Sequence, residues 1–207
     1  MRRAGRPLSA RSGESLDRVA AAARACTHCA PALPLGPRPI LQVHPEARIL
    51  VASQAPGRIA HESGVPFQDP SGRRLREWMG LDENAFYDPR KVAIVPMGFC
   101  YPGRGQGGDA PPRPECAPLW RERILSGLHD VRLTLVIGAH AQRWHLGTPR
   151  RSVAQRARDW LEERGEVVAL PHPSPRNNVW LKRHPWFEHD VVPNLRRSID
   201  RVLESNE

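Results

Sequence analysis

Four short apolar runs constrain the fold of this 207-residue chain more than any other feature. They are rich in β-branched side chains, do not alternate with polar residues, and cover residues 48–52, 92–95, 133–137 and 167–170. Continuous runs of this length are typical of strands buried on both faces of a parallel sheet. Because helical patterns lie between them, the sequence predicts an α/β protein, a three-layer α/β/α fold around a central four-stranded parallel sheet.

The segments between and around these runs carry apolar residues at helical spacing. Helices are predicted within residues 15–25, 71–80, 117–128, 150–165 and 191–207, with Gly80 and Gly165 at the ends of two of them. Neither an internal repeat nor a linker interrupts the pattern. We therefore expect one domain over residues 1–207, with residues 1–14 as a flexible segment.

The chain is strongly basic, with 31 Lys and Arg against 22 Asp and Glu, a net charge of +9 and a pI near 10.5. This charge suits a nucleic-acid partner, because neutralising phosphates releases counterions; GC-rich coding is the alternative reason for so many arginines. Apolar runs long enough to span a membrane are lacking, and the basic first residues have no apolar stretch typical of a secretion signal. We expect a monomeric cytoplasmic protein, in a bacterial cytosol or nucleoid, with a mitochondrial address as the alternative.

The four cysteines are grouped along the sequence as two pairs, Cys26 with Cys29 and Cys100 with Cys116. The first pair is a C-x-x-C motif, and the second encloses a proline-rich loop of 15 residues. In a cytosolic chain this pattern favours a shared metal or cluster site over disulfides. Four thiolates suit either zinc or an iron–sulfur cluster. The alternatives are inert buried cysteines or a C-x-x-C disulfide.

Unusual short motifs follow each of the four predicted strands. They read SQAPG, PMGFC, IGAH and PHPSP. In open α/β sheets ligands bind beyond the carboxyl ends of the strands. The sequence therefore predicts that these four segments converge on one ligand site.

Two of these motifs resemble those of the uracil-DNA glycosylase superfamily. S-Q-A-P-G at 53–57 with P-F at 66–67 is similar to the first motif, and H-P-S at 172–174 to the second. The closest pattern is the iron–sulfur branch, which reads G-E-A-P-G in the first motif and has the same arrangement of cysteines. The resemblance extends from about Cys26 to the final helix. It implies a base-excision-repair enzyme that hydrolyses the N-glycosidic bond of uracil in DNA, with Cys26, Cys29, Cys100 and Cys116 holding a 4Fe–4S cluster or, alternatively, a structural zinc.

The resemblance also implies roles for residues around the base. Phe67 would stack on the uracil ring of a flipped nucleotide. The backbone groups of Gln54 and Ala55 would contact uracil O2 or position water. A neutral His172 would donate to O2 and stabilise the anion that leaves as the bond breaks.

The residues after His172 are the expected DNA contacts. Ser174 and the following backbone would hold phosphate, and Pro175 and Arg176 would fill the space left by the flipped base or contact phosphate. Asn177 would contact DNA or only shape the turn. Trp180 and Trp186 are expected either at an exposed nucleic-acid surface or as anchors of the tail.

Two departures from the family pattern concern the chemistry. Ala55 occupies the place where many superfamily members carry a water-positioning aspartate, which leaves His61, Glu62 and Asp69 as the candidates for that role. Pro96 lies four residues before Cys100, where the iron–sulfur branch has an asparagine that reads uracil. Uracil is then expected to be read by Met97, by the Gly98 backbone, or by a side chain such as Gln68, Asp69 or His140.

The second departure keeps two other functions open. One is a glycosylase for a different deaminated base, hypoxanthine or xanthine. The other is a nucleic-acid-binding protein that has kept the fold and lost the chemistry.

Overall fold

A computed structural model describes residues 14–147, 151–163 and 165–205, so residues 1–13 of the expected flexible segment lie outside it. The strands are β1 (Ile49–Ala52), β2 (Val92–Ile94), β3 (Arg104–Gly105), β4 (Gly108–Asp109), β5 (Leu133–Ile137) and β6 (Val167–Leu170). The four predicted runs form one sheet in the order β2-β1-β5-β6, and every pairing in it is parallel. The short strands β3 and β4 form a separate hairpin.

Helices occupy most of the remaining chain. They are α1 (Leu16–Arg24), α2 (Arg58–Ser63), α3 (Pro70–Met79), α4 (Glu83–Tyr87), α5 (Cys116–Leu125), α6 (Gly138–Leu146), α7 (Val153–Glu163), α8 (Asn178–Arg183) and α9 (Val192–Glu204). Short 3₁₀ turns lie at Ala30–Ala32 and Pro175–Asn177, and a π-helical turn at Phe187–Val191 precedes α9. The five predicted helices correspond to α1, α3, α5, α7 and α9.

Alternate side chains of the central strands enter different hydrophobic clusters. Ile49 and Val51 of β1 pack with side chains of α3, α7 and α9, whereas Leu50 packs with side chains of α1 and α5. Since successive residues of a strand point to opposite faces, both faces of the sheet are covered by helices. The predicted three-layer α/β/α fold is confirmed.

The loop between β1 and α3 ends in a well-defined helix start. Asp69 caps α3, its Oδ1 accepting from the Gly72 amide at 2.9 Å, and Pro70 occupies the first helical position. Gly80 ends the helix with φ of 70°, in the left-handed region that favours glycine. The predicted boundaries were right to within one residue.

One expectation is corrected. The IGAH segment is not a loop after β5, because α6 begins directly at Gly138 and includes His140.

Of the two positions expected for Trp180 and Trp186, the structure shows the second. Both are partly buried and pack against the core on the α3, α7 and α9 side of the sheet, so they anchor the tail. Among the described residues, no helix is both long enough and apolar enough to cross a membrane.

Candidate active site

A cleft of about 530 Å³ lies at the carboxyl-end edge of the sheet. Its walls come from the segment after β1, the end of β2, the β3–β4 hairpin and the loop after β6. The predicted site residues that line it are Gln54, Ala55, Phe67, Asp69, His172, Ser174, Pro175, Arg176 and Asn177. Gln54 and Asn177, 123 positions apart in sequence, therefore line the same cleft, because the carboxyl ends of parallel strands lie at one edge of the sheet.

Phe67 is held rigidly in one wall of this cleft. It is the one described non-glycine residue with positive φ, at 56°, a conformation that disfavours side chains with a Cβ. The Phe67 carbonyl accepts from Arg76 Nη1 at 3.3 Å, and Gly72 packs so tightly on that carbonyl that a Cβ there would clash. The ring meets Phe86 edge to face, with centroids 6.2 Å apart. The surrounding structure thus fixes a strained residue with its ring at the ligand site.

The loops after β1 and β2 are joined by backbone hydrogen bonds. The Met97 amide donates to the Ser53 carbonyl at 2.8 Å, and the Gly98 amide to the Gln54 carbonyl at 3.0 Å. These amides are therefore occupied within the protein, and the structure does not bring the buried Met97 side chain into the cleft. Gln54 does line the cleft, and within the described residues its side chain has no hydrogen-bonding partner.

His172 is oriented by its own loop. Its Nδ1 accepts from the Ser174 amide at 3.2 Å, so the proton of the neutral ring resides on Nε2. Burial lowers the pKa of His172 below its ordinary value of 6.5, and Arg176 lowers it further, while Asp69 and Asp109 act in the opposite direction. The ring is therefore neutral at pH 7 and offers an Nε2–H donor.

The remaining residues of this loop form a compact turn. Ser174 Oγ accepts from the Arg176 amide at 3.3 Å, and the Asn177 side-chain amide donates to the His172 carbonyl at 2.6 Å. Arg74 of α3 reaches across to the carbonyls of Pro173 and Ser174, both at 3.3 Å. Pro175 and Arg176 are left exposed at the rim of the cleft.

His61 and Glu62 do not line the cleft. Both belong to α2, where His61 is buried with its ring 6.1 Å from that of Tyr101. Glu62 is exposed and pairs with Arg58 at 2.7 Å. Of the three candidates for the water-positioning role, only Asp69 is a cleft residue. Gln68 and His140 likewise lie outside the lining.

Residues 41–196 match the family model of the uracil DNA glycosylase superfamily. The chain belongs to this superfamily. The matched region contains β1, β2, β5, β6 and every residue of the cleft lining except Ile40. Membership of the superfamily indicates a DNA glycosylase, a hydrolase of DNA repair that acts on N-glycosidic bonds.

One part of this glycosylase cleft was not anticipated from the sequence. The β3–β4 hairpin contributes Gln106, Gly107, Gly108 and Asp109, although the segment was interpreted only as a proline-rich loop between cysteines. The signal that identifies it is the G-Q-G-G-D stretch at 105–109, since glycines at the centre of a short hairpin permit a tight turn. Gly107 has φ of 78° as such a turn requires.

The four cysteines are free thiols and line a second, small cavity next to the cleft's β2 wall, together with His28 and Arg113. The Phe99 amide donates to Cys116 Sγ at 3.4 Å. Burial raises the pKa of Cys116 to about 12, and the charges of Cys100, Cys29 and Cys26 add to this effect. The structure thus brings all four predicted ligands together, although no three or more His, Cys, Asp or Glu side chains within the described residues form a group that could hold a metal ion.

Proposed function

We propose that this glycosylase removes uracil from DNA by hydrolysing the bond between the base and deoxyribose. The observation that carries the proposal is the neutral His172, partly buried at the strand ends, with an Nε2–H that has no acceptor among the described residues. When the glycosidic bond breaks, its electron pair leaves with uracil and the negative charge develops largely on O2. A donor aimed at that oxygen stabilises the transition state more than the ground state.

Phe67 would supply the binding surface for the flipped base. Its ring is fixed by the backbone before substrate arrives, so stacking needs no reordering of the wall. Stacking a base on an aromatic ring contributes about 1–3 kcal/mol. That gain offsets part of the cost of unstacking the nucleotide from the duplex.

Arg176 is placed for the DNA backbone. It is exposed at the rim beside His172, and the net charge of +9 attracts a polyanion. Pro175, also exposed, is the candidate to fill the gap left by the flipped nucleotide. We expect binding to weaken as salt concentration rises, because each phosphate contact releases counterions.

The test is a duplex oligonucleotide with one uracil, incubated with the protein and treated with alkali. We expect strand cleavage at the uracil position, and a loss of roughly 10²–10³-fold in the single-turnover rate for His172→Ala. The control is His189→Ala, since His189 is exposed and far along the chain in the turn before α9. DNA binding without any abasic product would instead identify a non-catalytic member of the fold.

A second substrate, hypoxanthine or xanthine, is favoured by one observation. The cleft wall at the end of β2 is apolar and is formed by Ile94 and Pro96. Pro96 stands where the iron–sulfur branch has the asparagine that reads uracil, so this wall has no side-chain amide at that position. Gln54 is then the amide best placed to read the edge of a base. Oligonucleotides with uracil, hypoxanthine or xanthine at one position, compared by kcat/KM, decide between the substrates.

We further propose that Cys26, Cys29, Cys100 and Cys116 hold an iron–sulfur cluster, 4Fe–4S in type. All four line one cavity. Four thiolates can hold a 4Fe–4S cluster, with each sulfur bound to a different iron, and a structural zinc is the alternative. The group would serve as a structural link between the segment after α1 and the loop that precedes α5.

Purified protein tests the cofactor directly. We expect iron and sulfide on elemental analysis and visible absorbance from sulfur-to-iron charge transfer, both lost in Cys116→Ser. His28→Ala is the matched control, because His28 lines the same cavity but is not among the proposed ligands. Zinc in place of iron would support the structural alternative, and metal-free protein of full stability would contradict both.

A further inference from the structure

The β3–β4 hairpin brings a carboxylate, Asp109, to the cleft of this glycosylase. The superfamily site needs a group that orients the attacking water, and Ala55 cannot supply it. His61 and Glu62 lie outside the cleft. The only carboxylates that line it are Asp69 and Asp109, within the described residues.

The two carboxylates approach the same part of the first motif. A methyl group placed on Gly57 would lie 3.5 Å from Asp109 Oδ2 and 4.0 Å from Asp69 Oδ2. Both carboxylates also act on the charge of His172. Two carboxylates therefore lie between the first motif and the histidine loop, where the sugar of a flipped nucleotide would become cationic, and Arg176 is the cation beside them.

The two aspartates differ in their other tasks. Asp69 Oδ1 accepts from the Gly72 amide as the cap of α3, so this side chain is committed to the fold. The Asp109 carboxylate has no hydrogen bond or ion pair to any residue that the structure describes, and Asp109 is exposed to solvent. Because its oxygens are not engaged within the protein, the Asp109 carboxylate is better suited than that of Asp69 to accept a hydrogen bond from the attacking water.

The hairpin contacts the histidine loop at the opening of the cleft. The Arg176 guanidinium lies against the Gly108 backbone. The Ala110 amide donates to the Gly103 carbonyl at 2.8 Å, which closes the base of the hairpin. These contacts keep Asp109 at the cleft opening.

We infer that Asp109 is a catalytic residue, whose carboxylate orients the attacking water and stabilises the cationic sugar. This inference rests on the proposed glycosylase function. The C1′–N bond breaks with both electrons going to the base, which His172 stabilises as an anion. Water oxygen then bonds to C1′, Asp109 accepts the water proton, and that proton passes through solvent to the released base.

The test compares Asp109→Asn with Asp69→Asn in single-turnover cleavage of a uracil oligonucleotide. We expect Asp109→Asn to lower the rate about 100-fold or more, with undiminished affinity for an oligonucleotide carrying 2′-fluorodeoxyuridine, whose glycosidic bond resists hydrolysis. Asp69→Asn keeps a side-chain oxygen that can accept from the Gly72 amide, so it should leave the melting temperature nearly unchanged and should slow cleavage less. Asp109→Ala should regain activity with added formate, which a merely structural role would not produce.

The possible outcomes distinguish a failure of the Asp109 role from a failure of the proposed glycosylase function. Wild-type protein without activity on any deaminated base overturns the proposed function itself. An active wild type whose Asp109→Asn variant keeps more than a tenth of the rate overturns only the role of Asp109. A larger loss in Asp69→Asn than in Asp109→Asn, with both variants folded, also overturns it and assigns the water to Asp69.

Discussion

The side-chain amide of Asn177 donates a hydrogen bond to the backbone carbonyl of His172, with 2.6 Å between nitrogen and oxygen. This bond closes the turn that carries the proposed leaving-group donor. Asn177 also lines the cleft, but its amide nitrogen is engaged within the protein. Of the two roles expected for Asn177, shaping the turn is the one with an observed contact.

Replacing Asn177 by alanine should therefore slow catalysis without removing it. Loss of one hydrogen bond of about 1 kcal/mol that positions His172 should lower kcat roughly 5- to 10-fold. Asn178→Ala is the matched control, since Asn178 is an exposed residue in the first turn of α8. Single-turnover rates of both variants check this prediction, and equal losses in the two would contradict it.

The pH profile of cleavage should reflect the lowered pKa of His172. Burial favours the neutral ring, so the pKa of His172 lies below the ordinary value of 6.5. Protonation also places an Nδ1–H against the Ser174 amide, which disrupts the turn. We expect the single-turnover rate to fall in acid, with its inflection below pH 6.5. A histidine-dependent inflection above pH 6.5, absent in His172→Gln, would show that the charged ring is the active form.

Phe67 should show a trade-off between stability and activity. Glycine tolerates positive φ, and the left-handed conformation costs other residues about 1–2 kcal/mol. Phe67→Gly should therefore be about 1 kcal/mol more stable than Phe67→Ala, measured by urea unfolding. Both variants lose the stacking ring, so both should lose roughly 10- to 100-fold in kcat/KM. Full activity in either variant would exclude Phe67 as the base platform.

The stability of the fold should decrease in acid because of His145. Its ring accepts from the buried guanidinium of Arg121 at 2.7 Å, and burial, reinforced by the Arg121 charge, lowers the pKa of His145 from 6.5 to about 4. Between these two pH values the unfolded chain binds a proton that the folded chain excludes, so the free energy of unfolding falls as pH falls from 6.5 to about 4.

Urea unfolding across that range checks the sign of the effect. His145→Gln keeps an acceptor for Arg121 but has no titrating group, so its stability should vary less with pH than that of the wild type. A steeper dependence in His145→Gln would contradict the assignment.

Local patterns predicted much of this protein correctly. The strands were predictable because buried parallel strands need continuous apolar runs, and α3 because Asp69, Pro70 and Gly80 encode its ends locally. His172 was predicted from a motif that directly follows β6, and Phe67 from the end of a longer motif that begins after β1 and includes α2. Their meeting in one cleft follows from the parallel order of the sheet.

Other residues acquired their roles only through distant partners. Arg121 lies in α5 and is fully buried, donating to the Pro96 carbonyl at 3.0 Å under the cleft wall. Nothing in the sequence of α5 distinguishes it from Arg123, which is only partly buried. His61 and Glu62 show the reverse case, since both follow the first motif closely and yet α2 turns them away from the cleft.

The sequence by itself determined the three-layer fold and a site at the strand ends with His172 and Phe67 in its lining. It also determined that the four cysteines lie together, as they do in one cavity. The tertiary structure alone decided which carboxylates reach the site. Asp69 is held in place because it caps α3, and Asp109 lies on a hairpin that contacts Arg176. The physical reason is that strand and helix signals are local periodicities, whereas the position of a loop side chain depends on backbone contacts between segments far apart in the chain.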